Sequence, residues 1–216
     1  MTKPKKRIDS LVEEWRSIGE PEQEAFPWSR SRANWQALAD DFGIDMSDFP
    51  VLIDRGFLWG LNSTGAPVER VFLAVMIWGY GDIGYGPHRV RQMYDSPNFI
   101  KSLCQAREAC EKSQYLEAYA ILKNSKIRQL GPAFGTKVLA FFHERNGAPA
   151  ILDSVVAKWC NRHAMEELGP SGLNAEVWNL DTYEKYINWI YSVSQAKSVP
   201  MCTLEQLMFE DEYEHK

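Results

Sequence analysis

The feature that most constrains this chain is a proline–glycine turn at residues 131–135, which stands between two stretches of helical character. The preceding residues, 126–130, predict a short basic helix, and a second helix is expected to open near Thr136. Lys137 would then lie one residue inside the second helix. A turn of this kind between two helices can hold a nucleic-acid phosphate on its backbone N–H groups. Its conformation is set by Gly131, Pro132 and Gly135.

A carboxylate follows this turn at a helix start. Asp153 comes after Pro149-Ala-Ile-Leu, and the residues behind it repeat apolar positions at helical intervals. A lysine and an aspartate placed after a phosphate-binding turn have the appearance of a catalytic pair. We therefore expect residues 126–153 to carry the function.

The same segment carries a family resemblance. Gly135-Thr-Lys-Val138, followed by Ile151-Leu-Asp153, resembles the helix-hairpin-helix DNA glycosylases. It is most similar to the 8-oxoguanine DNA glycosylases that carry both a lysine and an aspartate. Their hairpin usually reads Leu-Pro-Gly-Val-Gly, whereas this chain reads Gly-Pro-Ala-Phe-Gly, so that Ala133 stands at the first hairpin glycine.

The resemblance implies a two-part reaction on DNA. Asp153 would stabilise the positive charge that develops on deoxyribose as a damaged base leaves. The neutral amine of Lys137 would attack C1′ and form a Schiff base, which allows β-elimination of the 3′ phosphate. The alternatives are a glycosylase for another modified base, such as a hypermodified phage base removed in antiviral defence, and a non-enzymatic DNA-binding module.

The resemblance also implies the partner and its contacts. The partner is double-stranded DNA, bound by a monomer, and no cofactor is expected beyond a possible monovalent cation at the hairpin. The expected DNA-binding residues are Lys126, Arg128, Pro132, Ala133, Phe134, Gly135 and Val138.

Charge is distributed in a way that permits this partner. The formal net charge is −5, which disfavours an extended phosphate footprint. From Ala118 to His143, however, there is no acidic residue, while four basic residues fall in that stretch: Lys123, Lys126, Arg128 and Lys137. A local basic face on an acidic protein is compatible with a small DNA footprint.

Residues 78–87 contain four glycines and three aromatic residues, and we interpret them as an irregular segment that is not a regular helix. Glycosylases turn the target base out of the duplex and stack it on apolar side chains. The expected residues of the base pocket, or of a wedge that fills the vacated stack, are Trp78, Tyr80, Tyr85 and His88.

Helical periodicity recurs along the rest of the chain, and no segment alternates strongly, which predicts an all-α fold. We expect one glycosylase-like domain over residues 1–216, with two helical lobes and the hairpin at the cleft between them. Residues 50–59 fit either a short strand or a helical turn. Residues 60–67 are predicted to form a loop, and a short last helix is predicted to start at Thr203.

The four cysteines lack zinc-ligand or iron–sulfur spacing, and no other metal motif is present. No apolar run reaches the roughly 20 residues of a membrane span. We therefore expect reduced thiols, no metal and a cytoplasmic protein that is associated with the nucleoid when bound to DNA.

Overall fold

The computed structural model describes residues 4–21 and 25–214. These residues form twelve α-helices and one two-stranded antiparallel ladder, which confirms the all-α prediction. In chain order, the elements are α1 Pro4–Ser17, β1 Phe26–Pro27, α2 Arg32–Asp41, β2 Leu52–Ile53, α3 Arg55–Ser63, α4 Val68–Tyr80, α5 Gly86–Tyr94, α6 Phe99–Glu111, α7 Tyr115–Ser125, α8 Pro132–Phe141, α9 Ser154–His163, α10 Met165–Leu168, α11 Leu180–Lys197 and α12 Met201–Glu214. A 3-10 turn, Arg145–Gly147, precedes α9.

Helix α4 is the centre of the larger group of helices. Every residue from Val71 to Trp78 is buried, because this segment is apolar on all sides. It packs against α3, α5, α6 and α8. The second group is built on α12, which packs against α1, α9 and α11. Buried side chains from both groups form one hydrophobic core.

Residues 50–59, for which the sequence predicted either a strand or a helical turn, contain both a short strand and the start of a helix. Leu52–Ile53 pairs with Phe26–Pro27, and α3 begins directly after Asp54. The Asp54 carboxylate accepts a hydrogen bond from the Phe57 N–H at 2.7 Å, which caps the helix. The prediction of a loop at residues 60–67 was wrong over its first half, since α3 continues to Ser63.

Residues 78–87 are more regular than predicted. Helix α4 continues to Tyr80 and α5 begins at Gly86, so the irregular part is confined to residues 81–85. Gly79 lies inside α4 at a close contact: a Cβ there would be 2.8 Å from the Phe134 ring, so a larger residue would displace that ring. Gly81 ends the helix with a φ of +52°.

The hairpin begins its second helix earlier than predicted. Helix α8 starts at Pro132, whose ring fixes φ near the helical value and whose missing N–H is not needed at a helix start. The predicted basic helix at 126–130 is instead part of the connection from α7. Lys126 and Gln129 have φ values of +50° and +63°, which a helix does not allow. Lys137 consequently lies in the second turn of α8.

The last helix, α12, is longer than predicted and begins at Met201 rather than at Thr203. Its buried stretch runs from Met201 to Met208, which places the α12 side chains against α9 and α11. No helix within the described residues combines the length and hydropathy needed to cross a bilayer.

Candidate active site

Lys137, the predicted nucleophile, lies in the second turn of α8. The Lys137 side chain is 11% exposed, and its neighbours in the helix, Thr136 and Val138, are buried. Most of the Lys137 side chain is therefore enclosed by the protein.

Asp153 is the N-cap of α9 and uses its two carboxylate oxygens differently. Oδ1 accepts hydrogen bonds from the N–H groups of Val155, at 3.0 Å, and Val156, at 3.1 Å. Oδ2 accepts from Lys137 Nζ at 2.6 Å. One oxygen caps the helix and the other holds the ammonium group.

The register of the pair is fixed by the two residues that precede its members. Thr136 Oγ1 accepts a hydrogen bond from the Leu152 N–H at 3.1 Å and lies 3.3 Å from the Leu152 carbonyl oxygen. Both residues are buried. This contact ties α8 to the segment before α9, so Lys137 and Asp153 are brought together by backbone placement as well as by their charges.

The electrostatics of the site favour the ionised form of Asp153. Burial acts to raise the pKa of this carboxyl, but the Lys137 ammonium and the N–H groups of Val156 and Val155 outweigh burial and hold the pKa below its ordinary value. The carboxylate therefore keeps a negative charge in a position from which water is largely excluded.

The pair opens into a cavity of about 200 Å³. Its walls come from β1, α3, α4, α8, α12 and the residues next to them. The lining residues are Phe26, Arg55, Trp78, Gly79, Tyr80, Gly81, Lys137, Asp153, Glu205 and Phe209.

Aromatic rings form much of this wall. Tyr80 stacks on Phe134 with ring centroids 4.3 Å apart. Lys137 Nζ lies 5.6 Å from the centroid of the Trp78 ring, and the guanidinium carbon of Arg55 lies 5.3 Å from the same ring. Two cationic groups thus approach one indole, within the range of cation–π attraction.

A second ion pair lies beside the first and was missed by the sequence analysis. Arg55 Nη1 and Nη2 donate to the two carboxylate oxygens of Glu205, at 2.7 and 3.2 Å. Both side chains are buried. Burial raises the pKa of Glu205 although the charge of Arg55 opposes this effect. Neither residue lies in a motif, so the sequence held no signal that would have joined them.

The expected pocket residues divide into two pairs. Trp78 and Tyr80 line the cavity beside Lys137 and Asp153. Tyr85 and His88 are not among the described residues that line it. Both are exposed, and His88 Nε2 lies 2.9 Å from the amide nitrogen of Gln92.

The residues predicted to bind DNA also divide by position. Lys126 and Arg128 are exposed on the connection between α7 and α8, where the Arg128 N–H donates to Ser96 Oγ at 2.9 Å. Ala133 and Phe134 are half-buried in the first turn of α8. The remaining three are buried: Pro132, Gly135 and Val138.

Gly135 has a packing reason for lacking a side chain. A Cβ at this position would lie 2.3 Å from Cη2 of Trp178. Trp178 in turn donates from Nε1 to the Leu130 carbonyl oxygen at 3.2 Å, which holds the ring over the start of α8. The glycine therefore lets Trp178 cover the hairpin.

Comparison with known proteins identifies the family. A family model described as "Putative 8-oxoguanine DNA glycosylase OGG-like protein" matches residues 19–209. The chain belongs to this family. The OGG-like match contains Lys137, Asp153 and every residue that lines the cavity.

Neither the curated proteins nor the solved structures contain a match to this chain. The OGG-like family is one of DNA glycosylases, which makes DNA the partner that the family implies. Within the described residues, no group of three or more His, Cys, Asp or Glu side chains is placed to hold a metal ion.

Proposed function

We propose that this OGG-like protein is a bifunctional DNA glycosylase that removes a modified base and then nicks the strand through a lysine Schiff base. The observation that carries the proposal is the Lys137–Asp153 pair, which is joined at 2.6 Å and opens into a cavity walled by aromatic rings. Base excision with strand nicking requires a nucleophile and a carboxylate close together, and we assign these roles to Lys137 and Asp153.

In the first step, the N-glycosidic bond breaks and positive charge develops at C1′ of the sugar. The Asp153 carboxylate, kept ionised by its partners, stabilises that charge at close range. Lys137 must give up a proton before its amine can attack C1′, and the departing base must take one up. The new bond joins Nζ to C1′, while the electron pair of the broken bond leaves with the base.

In the second step, opening of the sugar ring gives a Schiff base between Lys137 and C1′. Loss of a proton from C2′ then expels the 3′ phosphate and nicks the strand. The reaction uses side chains alone, and we propose that it needs no cofactor.

The cavity has properties that suit an extruded base. Its volume of about 200 Å³ is below the roughly 300–1,000 Å³ typical of pockets for drug-sized ligands, which favours a single base. Aromatic side chains supply stacking surfaces. In addition, the indole N–H of Trp78 is buried without an acceptor among the described residues, so a base in the cavity could accept from it.

We propose that DNA docks on the hairpin formed by α7, the connection at residues 126–131 and α8, in the manner of a helix-hairpin-helix. The connection exposes Lys126 and Arg128. The first N–H groups of a helix have no intrahelical acceptor, so those at the start of α8 are the proposed phosphate ligands. Carbonyl oxygens of the same connection are the proposed site for a monovalent cation. The proposed complex is one protein monomer on double-stranded DNA.

The first candidate substrate is 8-oxoguanine, because the description of the family names it. The test is a panel of duplexes that each carry one modified base, assayed separately for base release and for strand nicking. Release of a base with borohydride trapping on the same duplex would support the proposal. Release without trapping would remove the lyase step, and salt-dependent binding without either reaction would indicate a binding module.

A further inference from the structure

The cavity that contains the proposed catalytic pair is lined by a second carboxylate. Among the described residues that line it, two carry carboxyl groups, Asp153 and Glu205. Glu205 lies on α12 and is 1% exposed, compared with 7% for Asp153. Two carboxylates in one cavity can take different parts in a reaction when their surroundings push their pKa values apart.

The surroundings of these two carboxylates differ in this way. Burial acts to raise the pKa of Asp153, but the Lys137 ammonium and two helix N–H groups hold that pKa below its ordinary value. Burial raises the pKa of Glu205, and the charge of Arg55 offsets only part of this effect. Asp153 therefore suits a fixed negative charge, whereas Glu205 is the stronger base of the two.

Arg55 fixes the position of the Glu205 carboxylate and leaves it able to accept a proton. The guanidinium donates one hydrogen bond to each carboxylate oxygen, at 2.7 and 3.2 Å. Because an ionised carboxylate has about four lone-pair sites, each oxygen keeps a site for another donor. Arg55 and Lys137 also approach the same Trp78 ring, and the charge of Lys137 acts on Glu205. The Lys137 ammonium and the pair formed by Arg55 and Glu205 therefore border the same part of the cavity.

Charged and titratable groups act on Glu205 from several elements. They are Arg55 on α3, Lys137 on α8, Asp153 before α9, Tyr186 on α11, and Cys202 and Glu210 on α12. Burial raises the pKa of Tyr186 and of Cys202, so both groups stay neutral near pH 7. Glu210 is half-buried and is not among the residues that line the cavity. Of all these groups, Lys137 is the one that must lose a proton in the proposed reaction.

We propose that Glu205 carries a proton from Lys137 to the departing base, with Arg55 as the residue that positions it. A Glu205 oxygen takes a proton from Lys137 Nζ, which breaks an N–H bond and frees the lone pair that attacks C1′. As the glycosidic bond breaks, its electron pair leaves with the base. The base then takes the proton from Glu205, which restores the carboxylate, so the transfer needs no further reactant. This inference rests on the proposed function, since it supplies the proton transfer that the first step requires.

The test is the rate of borohydride trapping on a duplex with a preformed abasic site, measured at several pH values. No base leaves from this duplex, so the measurement isolates the transfer of a proton away from Lys137. Glu205→Gln should be trapped about a hundredfold more slowly than the wild type near pH 7, in the range of general acid–base catalysis. The deficit should shrink about tenfold per pH unit and nearly vanish by about pH 9, because hydroxide then removes the proton instead.

Glu212→Gln is the matched control. Glu212 is also a buried glutamate of α12 and pairs with Arg162 at 3.0 Å, but it is not among the residues that line the cavity. Glu212→Gln should be trapped at the wild-type rate at each pH. A second variant combines Arg55→Met with Glu205→Gln, which leaves no unpaired charge and also removes the proton acceptor. It should recover with rising pH in the same way, and it replaces Glu205→Gln if that variant does not fold.

Three results would overturn the inference. Glu205→Gln could be trapped at the wild-type rate, or it could be slowed by one factor at every pH, which indicates a structural role. It could also release a modified base slowly while its trapping stays normal, which would make Glu205 a contact of the base alone. A wild-type chain that is not trapped at any pH would overturn the proposed lyase function together with the inference.

Discussion

Lys137 and Asp153 meet at 2.6 Å through a single carboxylate oxygen, while the other oxygen of Asp153 caps α9. The two roles of the aspartate are therefore separated on the side chain itself. Substitutions can remove the charge and keep the cap, or remove both, and this separation makes the proposed catalytic roles testable.

Lys137→Gln should abolish borohydride trapping and strand nicking while DNA binding persists. The amide cannot form a Schiff base, although it can still donate a hydrogen bond to Asp153. Because the pair is mostly buried, the free energy of unfolding should fall by about 1–3 kcal/mol. Trapping on abasic DNA is the measurement, and Lys185→Gln, at an exposed lysine of α11 outside the proposed DNA contacts, is the matched control that should still cross-link. Undiminished trapping in Lys137→Gln would contradict its role as the nucleophile.

Asp153→Asn should reduce base release by orders of magnitude and leave α9 intact. Asparagine caps a helix about as well as aspartate, and Oδ1 can still accept from Val155 and Val156. Asp153→Ala should lose the same activity and, in addition, about 1 kcal/mol of stability, because the cap is removed. Single-turnover base release and urea denaturation of both variants separate these effects. If Asp153→Asn releases base at the wild-type rate, the aspartate has only a capping role.

The stability difference between the wild type and Asp153→Asn should depend on pH. The pKa of Asp153 is lowered in the folded chain, so the carboxylate stabilises the fold above its unfolded pKa of about 3.9. This contribution is lost as the pH falls through the folded pKa. The difference in free energy of unfolding between the wild type and Asp153→Asn should therefore reach its full value near neutral pH and shrink below about pH 4. A difference that grows on acidification would contradict the assigned shift.

The local parts of the site could be predicted from the sequence. Lys137 and Asp153 lie close together in the chain, and each is marked by its neighbours: a glycine turn before the lysine and a helix start at the aspartate. The boundary of α8 was misplaced because Pro132 and Gly135 read as turn residues. In the structure, Pro132 opens the helix and Gly135 accommodates Trp178.

The distant parts of the site could not be predicted. Arg55 and Glu205 pair across 150 positions, and no local spacing in the sequence relates residues so far apart. Trp78 and Tyr80 were expected in an irregular segment, but tertiary packing against Phe134 extends α4 through Gly79. Packing overrode the weak helix propensity of glycine there.

Gly135→Ala should destabilise the fold without a specific effect on DNA binding. The added methyl group would lie 2.3 Å from Trp178, whose ring is held by Leu130, and overpacking of this kind costs roughly 1–3 kcal/mol. Gly131→Ala is the matched control, because a Cβ there meets no atom within 4 Å and φ is −86°. Thermal melts and DNA titrations of both variants are the measurements. A Gly135→Ala protein that melts normally but binds DNA poorly would make this glycine a DNA contact instead.

The pair formed by Arg55 and Glu205 should show strong coupling in a double-mutant cycle. Arg55→Met leaves a buried carboxylate without its cation, and Glu205→Gln leaves a buried guanidinium without its anion, so each single change should cost about 3–5 kcal/mol. The combined variant should be less destabilised than the sum, because no charge is left unpaired. Urea denaturation of the four proteins gives the coupling energy.

Base release should fall most in Arg55→Met, where the uncompensated Glu205 carboxylate remains in the wall of the cavity that contains Lys137. Additive stabilities would show that the two side chains do not depend on each other, and unchanged base release would place the pair outside the reaction.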